Sequence, residues 1–303
     1  MSKAKTKIKI EKVEDFLKTN FNPDISALSF IKGGEMSQAF SFDAGNESFV
    51  IRANTDLWPF KKDQYSYEHY KADSIRIPEV IEIGELEEGY YYAISRKVKG
   101  KMLVDISSEE YKKIFPELID TLDAIHSTDI SGTSGFGKWE ADGSSEAKTW
   151  KEYVLAVKNY VIAKDGNPSL FETSFLEKDL WDKLYTQIEA LLHFCPEERY
   201  LVHGDYGSDN VMTDEGKITG VLDWAGAKYG DFLYDAAWLN FWEPKRNPID
   251  FFEKHYRGKN QAVHFAERIK CYQLRIALSS LSFYAWSDQF EKYQKAIKRA
   301  LAI

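Results

Sequence analysis

The sequence predicts an α+β protein of two lobes: an antiparallel sheet lobe over residues 1–98, then a mainly helical lobe over residues 99–303. Three observations predict it. Strand-like alternation broken by tight turns fills the first third of the chain. Helical periodicity replaces it after Lys99, and two short strand-like runs return near residue 200. At 303 residues, with 44% hydrophobic and 29% charged side chains, the chain has material for two cores and the balance of a globular protein.

In order along the chain, "VEDFLKTNF" places Val13, Phe16, Leu17 and Phe21 on one helical face. "ISALSFIKGGEMSQAFSFDAGNESFVIRAN" alternates and is punctuated by Gly33-Gly34 and by "DAGN", giving three antiparallel strands. "KKDQYSYEHYKADS" reads as a helix, and "IPEVIEIGELEEGYYYAISRKV" as two more strands. The first lobe is therefore a five-stranded antiparallel sheet with a helix between its third and fourth strands.

Beyond Lys101, "YKKIFPELIDTLDAIHS", "KTWKEYVLAVKNYVIAK" and "FLEKDLWDKLYTQIEALLHF" are amphipathic helices. The Gly/Ser-rich "ISGTSGFGKWEADGSSEAK" between them reads as a loop. "ERYLV" and "VMTDEGKITGVLDW" supply short strands, and "GDFLYDAAWLNFW" with everything from Phe251 onward is helical.

Composition narrows the function. The net charge is -8, and the basic runs "MSKAKTKIK" and "AIKRA" lie at the chain ends, where a solvated tail and helix face are expected. Nucleic acid is not an expected partner; a negative surface favours a cationic small molecule. Cys195 and Cys271 form no CxxC pair and are expected to be reduced and packed. Neither a signal peptide nor a run of the roughly 20 apolar residues that a membrane helix needs is found, so a cytoplasmic protein without a membrane span is expected; a monomer is the expected state.

The chemistry concentrates in "YLVHGDYGSDNVMTDEGKITGVLDWAGAKYGD", residues 200–231. Asp205, Asn210 and Asp223 stand at the ends of apolar runs, where desolvating a carboxylate is costly without a partner. A divalent cation supplies one. One carboxylate that orients a hydroxyl, with an amide and a second carboxylate holding Mg²⁺ on nucleotide phosphates, is the set that phosphoryl transfer needs. A single Asp at a strand end more often caps a turn; two Asp and an Asn at this spacing behind a strand lobe do not read that way.

"VHGDYGSDNVMTDEGKITGVLDW" followed by "YGDFLYDAAW" resembles the aminoglycoside phosphotransferase family, which shares the protein-kinase-like bilobal fold. "GGEMSQAFSFDAGNESFVIRAN", "IRIPEVIEIGE", "YYAISRKVKG", "TSGFG" and "LNFWEP" are similar, in the same order, to its hygromycin B branch. The resemblance spans roughly Val13 to Trp242. It implies an ATP-dependent enzyme, with GTP as an alternative donor, that phosphorylates a hydroxyl of hygromycin B or a similar aminocyclitol. Asp205 would be the catalytic carboxylate, and Asn210 and Asp223 the Mg²⁺ ligands. Gly33, Gly34 and Ser37 would form the turn over the phosphates, with Ser95, Arg96 and Val98 in the hinge that meets adenine. Arg52 stands where kinase-like enzymes usually carry the phosphate-binding Lys, as the hygromycin branch also has it. Its acidic partner on the next helix is Glu68 or Asp63, with Glu68 favoured by residue type. His203 would brace the catalytic loop and His126 would pack, while Asp231 and Asp235 would bond loop and helix N–H groups. Asp205, Glu243, Trp238 and Trp242, with Asp142 and Glu146, are candidates for the acceptor site, although all but Asp205 read more readily, one by one, as surface or core filling.

Two other readings stay open at this point. The same fold serves metabolite kinases acting on choline, methylthioribose, homoserine or macrolides. A kinase-like binding module without turnover is less favoured, since Asp205, Asn210 and Asp223 are all present; a regulatory protein kinase would want a peptide-docking segment, and none is seen.

Overall fold

A computed structural model of the protein describes residues 6–163, 166–259, 261 and 263–303. Two compact units emerge, and they divide differently from a boundary at Lys99. The first holds Met1–Ile114 with Asn210–Ala225; the second holds Phe115–Asp209 with Gly226–Ile303.

The first unit opens with α1 (Ile10–Asn20), whose Val13 and Leu17 are fully buried. The strands β1 (Ile25–Ile31), β2 (Gln38–Ala44) and β3 (Glu47–Asn54) follow, then α2 (Trp58–Tyr70), β4 (Val80–Glu87) and β5 (Tyr90–Arg96). As the sequence predicts, these five strands form one antiparallel sheet; its order is β1-β2-β3-β5-β4. Phe40, Phe42, Phe49, Ile51, Ala53, Tyr92 and Ile94 share a core with Ile8, Val13 and Leu17. Strand alternation turns the neighbouring Arg52 to the opposite face from Ile51 and Ala53. Helix α2 begins three residues before the expected "KKDQY", because Pro59 in its first turn is preset for helix. The expected solvated N-terminal tail falls partly outside the described residues, and its remainder is not all solvated: Thr6 and Ile8 are buried, and the Thr6 N–H donates to the Met36 carbonyl.

The same unit takes in a second, three-stranded sheet. Strand β6 (Lys101–Met102) precedes α3 (Ser108–His126), within which the division of the units falls. The hairpin of β10 (Val211–Asp214) and β11 (Lys217–Val221) pairs with β6 in the order β11-β10-β6. The Thr219 hydroxyl donates to the Lys99 carbonyl, and the Val221 N–H to that of Arg76. These bonds explain why a segment so late in sequence belongs here.

The second unit is mainly helical but contains a four-stranded sheet, β8-β7-β12-β9. Its elements include β7 (Phe136–Trp139), β8 (Ser145–Ala147), α4 (Trp150–Leu155), α5 (Leu170–Thr173), α6 (Lys178–Leu191), β9 (Tyr200–Val202) and β12 (Lys228–Gly230). After them come α7 (Leu233–Trp242), α8 (Pro248–Gly258), α9 (Phe265–Trp286) and α10 (Phe290–Ala300). Two expectations change. The Gly/Ser loop contains the β7–β8 hairpin, turned by the Asp142 carboxylate accepting from the Ser144 N–H at 2.9 Å. The helix expected over "KTWKEYVLAVKNYVIAK" stops after Leu155 and tightens into a 3₁₀ turn, Ala156–Tyr160. Val157, Tyr160, Val161 and Ile162 are weak helix formers, which fits the early stop. Cys195 and Cys271 are free and buried.

Candidate functional site

In the first unit, Arg52 extends from β3 to Asp63 on α2, with Nη2 to Oδ2 at 2.5 Å. The expected partner Glu68 is exposed and is replaced in that role by Asp63. The reason is helical phase: Asp63 lies on the buried side with Phe60 and Ser66, whereas Glu68 falls on the solvent side. Asp63 also reaches further. Its Oδ1 accepts the backbone N–H of Trp224 at 2.8 Å, so one carboxylate joins Arg52 to the residue that follows Asp223. Lys62, beside it on α2, donates to the Ala225 carbonyl at 3.1 Å. Burial draws down the Arg52 proton affinity, but Asp63 and Asp223 outweigh it, and the net shift is upward. Arg52 and Asp223 therefore lie within electrostatic reach.

Asp223 follows β11 with φ +60°, the left-handed region that Asp and Asn tolerate better than most residues. The Leu222 N–H donates to the Asn210 carbonyl at 2.8 Å, drawing the backbones on either side of the hairpin together. Asn210 and Asp223 thus share one end of it. An amide oxygen and a carboxylate are hard donors that suit Mg²⁺ with phosphate and water completing its shell.

The β1–β2 turn carries Gly33 and Gly34 at φ +138° and +64°, conformations that favour glycine. Ser37 is oriented by Asn54, whose Nδ2 donates to its hydroxyl at 2.9 Å. In the hinge candidate, Ser95 and Arg96 end β5. The Arg96 N–H donates to the Glu79 carbonyl and the Lys97 N–H to that of Ser48, while the exposed Arg96 side chain pairs with Glu47 and Glu79. Val98 follows them, and its side chain lies against Gly220.

In the second unit, the catalytic-loop candidate is braced from within. Asp235, fully buried on α7, accepts the N–H groups of His203 (3.0 Å) and Gly204 (2.7 Å) and bonds His126 Nε2 at 3.0 Å. Burial pushes the Asp235 carboxyl up, yet His126, His203 and the Gly204 N–H prevail and hold it below its ordinary value. His203 Nδ1 accepts the Asp205 N–H at 3.3 Å, consistent with bracing. Asp231 accepts the Leu233 N–H at the start of α7 and pairs with Arg268.

The acceptor-site candidates divide. Glu243 accepts the Ser208 N–H at 2.8 Å and lies 3.5 Å from Arg246, which ties it to the loop. Trp238 approaches Gly207, and its ring centroid lies 6.0 Å from that of Trp242. Trp242 packs under Arg299 of α10, 4.8 Å from its centroid. Asp142 serves the hairpin turn, and Glu146 is exposed on β8. Sequence reasoning missed Lys228 and the second bond of Asp63. Asp63 leaves no signal in spacing because it acts on backbone far along the chain, and Lys228 leaves none because its stretch is too short to show a period.

Known proteins resemble this chain in sequence and fold. A model described as "Phosphotransferase enzyme family" matches residues 30–264. The chain is 34% identical over 273 residues to hygromycin-B 4-O-kinase of Escherichia coli, spanning 89% of this chain and 77% of that protein. The crystal structure of aminoglycoside phosphotransferase APH(4)-Ia matches with a TM-score of 0.85 at 33% identity, covering 97% of this chain and 98% of that one. A thermostable mutant of that enzyme in ternary complex with AMP-PNP and hygromycin B gives 0.84 at 33% identity, with 96% and 97% covered. With the family model spanning most of its length and a solved fold matching nearly all of it, this chain belongs to the phosphotransferase enzyme family.

Proposed function

We propose that the protein transfers the γ-phosphoryl group of ATP to a hydroxyl of hygromycin B or a closely similar aminocyclitol antibiotic. The observation that carries this reading is the 34% identity to hygromycin-B 4-O-kinase over 89% of the chain. The candidate metal-binding and catalytic residues Asp205, Asn210 and Asp223 fall within residues 30–264 matched by the family model.

The chain's own groups divide the work. Asp205 orients the acceptor hydroxyl and takes its proton as the oxygen bonds to the γ-phosphorus. The bond from that phosphorus to the bridging oxygen breaks, and ADP leaves with the electron pair. Arg52, held by Asp63, neutralises the α- and β-phosphates. Gly33 and Gly34 let the turn backbone approach phosphate closely, and Ser37 adds a hydroxyl. Val98 offers its backbone to the adenine edge. Asn210 and Asp223 would hold Mg²⁺, which when bound offsets phosphate charge. Trp238 supplies an aromatic wall suited to a cationic sugar. ATP supply places this work in the cytoplasm.

The test is an assay of Mg-ATP with hygromycin B beside other aminoglycosides and neutral metabolite alcohols. Phosphate should appear on hygromycin B by mass spectrometry, and Asp205→Asn should cut the rate ~10²–10⁴-fold with little change in nucleotide affinity. Turnover of a neutral metabolite alone would move the protein to another branch of the family.

A further inference from the structure

One buried cation beside the loop is unused by this scheme. Lys228 opens β12 and is 2% exposed. Its ammonium donates to the Gly226 carbonyl at 2.6 Å and lies 4.4 Å from the Tyr234 ring centroid. It forms no ion pair among the described residues. It is also pressed against the loop: a Cβ added to Gly204 would fall 1.7 Å from Nζ, and Gly204 has φ +73°. Gly226 completes the contact, since a Cβ there would meet the Asp205 Cβ at 3.1 Å. Lys228, Gly226, Gly204 and Asp205 are thus stacked in succession, all within the second unit.

The amine meets a backbone carbonyl and an aromatic face, neither of them an anion. A buried ammonium without an ion partner is costly, and an apolar side chain of similar shape is commonly more stable. Burial pushes Lys228 down to about 7; Asp235 and Asp205 pull it up, and Lys138 and Arg275 press it down. A locally unfavourable group kept against a catalytic loop is the pattern expected where function sets the residue.

We propose that Lys228 is a positioning residue for Asp205: its amine fixes the Gly226–Gly204 contact on which Asp205 rests. This rests on Asp205 being the group that handles the acceptor proton. Lys228 does not touch the substrate; it acts through the loop.

The test is Lys228→Met, with Lys228→Gln as a second variant, each made in the parent and in Asp205→Asn, with hygromycin B and Mg-ATP as substrates. Lys228→Met should lower kcat about 10- to 100-fold, the scale of a modest misplacement, with both KM values nearly unchanged. Its Tm should stay level or rise. In the Asp205→Asn background the same change should alter the residual rate by less than about twofold, because the two residues act as one unit. An unchanged kcat in Lys228→Met, beside a disabled Asp205→Asn, overturns the inference alone. Equal losses in both backgrounds also overturn it, as do lowered Tm values in both variants with activity tracking the folded fraction. Full activity of Asp205→Asn would remove the reading of Asp205 and this inference together.

Discussion

Asp63→Ala removes the carboxylate that joins Arg52 to the backbone after Asp223. The Arg52 and Asp63 side chains are 22% and 7% exposed, so the pair is shielded without being sealed. Removing one partner of a buried pair costs about 3–5 kcal/mol, and the exposure of Arg52 places this case near 3. The Trp224 N–H also loses its acceptor, and an unmet buried donor costs about 1–3 kcal/mol. The two losses share one site and are not additive, so a total near 4 kcal/mol is expected. Asp63→Asn separates them: its amide oxygen still serves Trp224 while the charge on Arg52 is lost, for about 2–3 kcal/mol. Urea unfolding of parent, Asp63→Asn and Asp63→Ala gives these differences, and calorimetric titration with Mg-ATP reads the other end. With Arg52 no longer held, nucleotide affinity should fall about tenfold, or roughly 1.4 kcal/mol. Glu68→Ala is the control and should be silent in both measurements, since Glu68 is exposed. Equal stability of Asp63→Ala and parent with unchanged nucleotide affinity, or a matching loss in Glu68→Ala, would refute the reasoning.

Asp223→Asn should keep the fold, because Asn accepts the left-handed backbone at φ +60°, yet weaken Mg-ATP binding by at least about tenfold through the lost charge. Calorimetry with unchanged Mg-ATP affinity would make Asp223 a turn residue only. Asp235 is held below its ordinary value, so its ionised form stabilises the fold above the unfolded value of about 4, and that contribution is lost as pH falls through the lower folded value. The stability gap between parent and Asp235→Asn should thus be widest near neutrality and close in acid. Urea midpoints showing a gap independent of pH would count against it.

Much of this was legible in the residues. The five-stranded sheet followed from alternation and from turn residues such as Gly45, because period and turn chemistry are local properties. Asp205, Asn210 and Asp223 stood out because two carboxylates and an amide amid apolar runs demand a partner. What escaped depends on distance along the chain. The choice between Asp63 and Glu68 turned on helical phase against neighbours that the sequence does not place. The β7–β8 hairpin was hidden by its Gly and Ser content, since its β7 strand gains support from β12, some ninety residues on. Lys228 sits in a stretch too short to show periodicity, and only the approach of Gly204 distinguishes it.

The close contact of Gly204 with Gly226 also bears on how such a scaffold diversifies. Any replacement of glycine adds at least a methyl group. At Gly204 that methyl would collide with Lys228, and at Gly226 it would crowd Asp205. At Gly230 it would enter the Trp150 indole. Neutral drift through single substitutions is therefore disfavoured along the floor of the loop. A lineage selecting for a new acceptor would have to change side chains such as Trp238, which can be exchanged without moving backbone. Variation among descendants should accordingly gather on α7, with these three glycines left behind as fixed points.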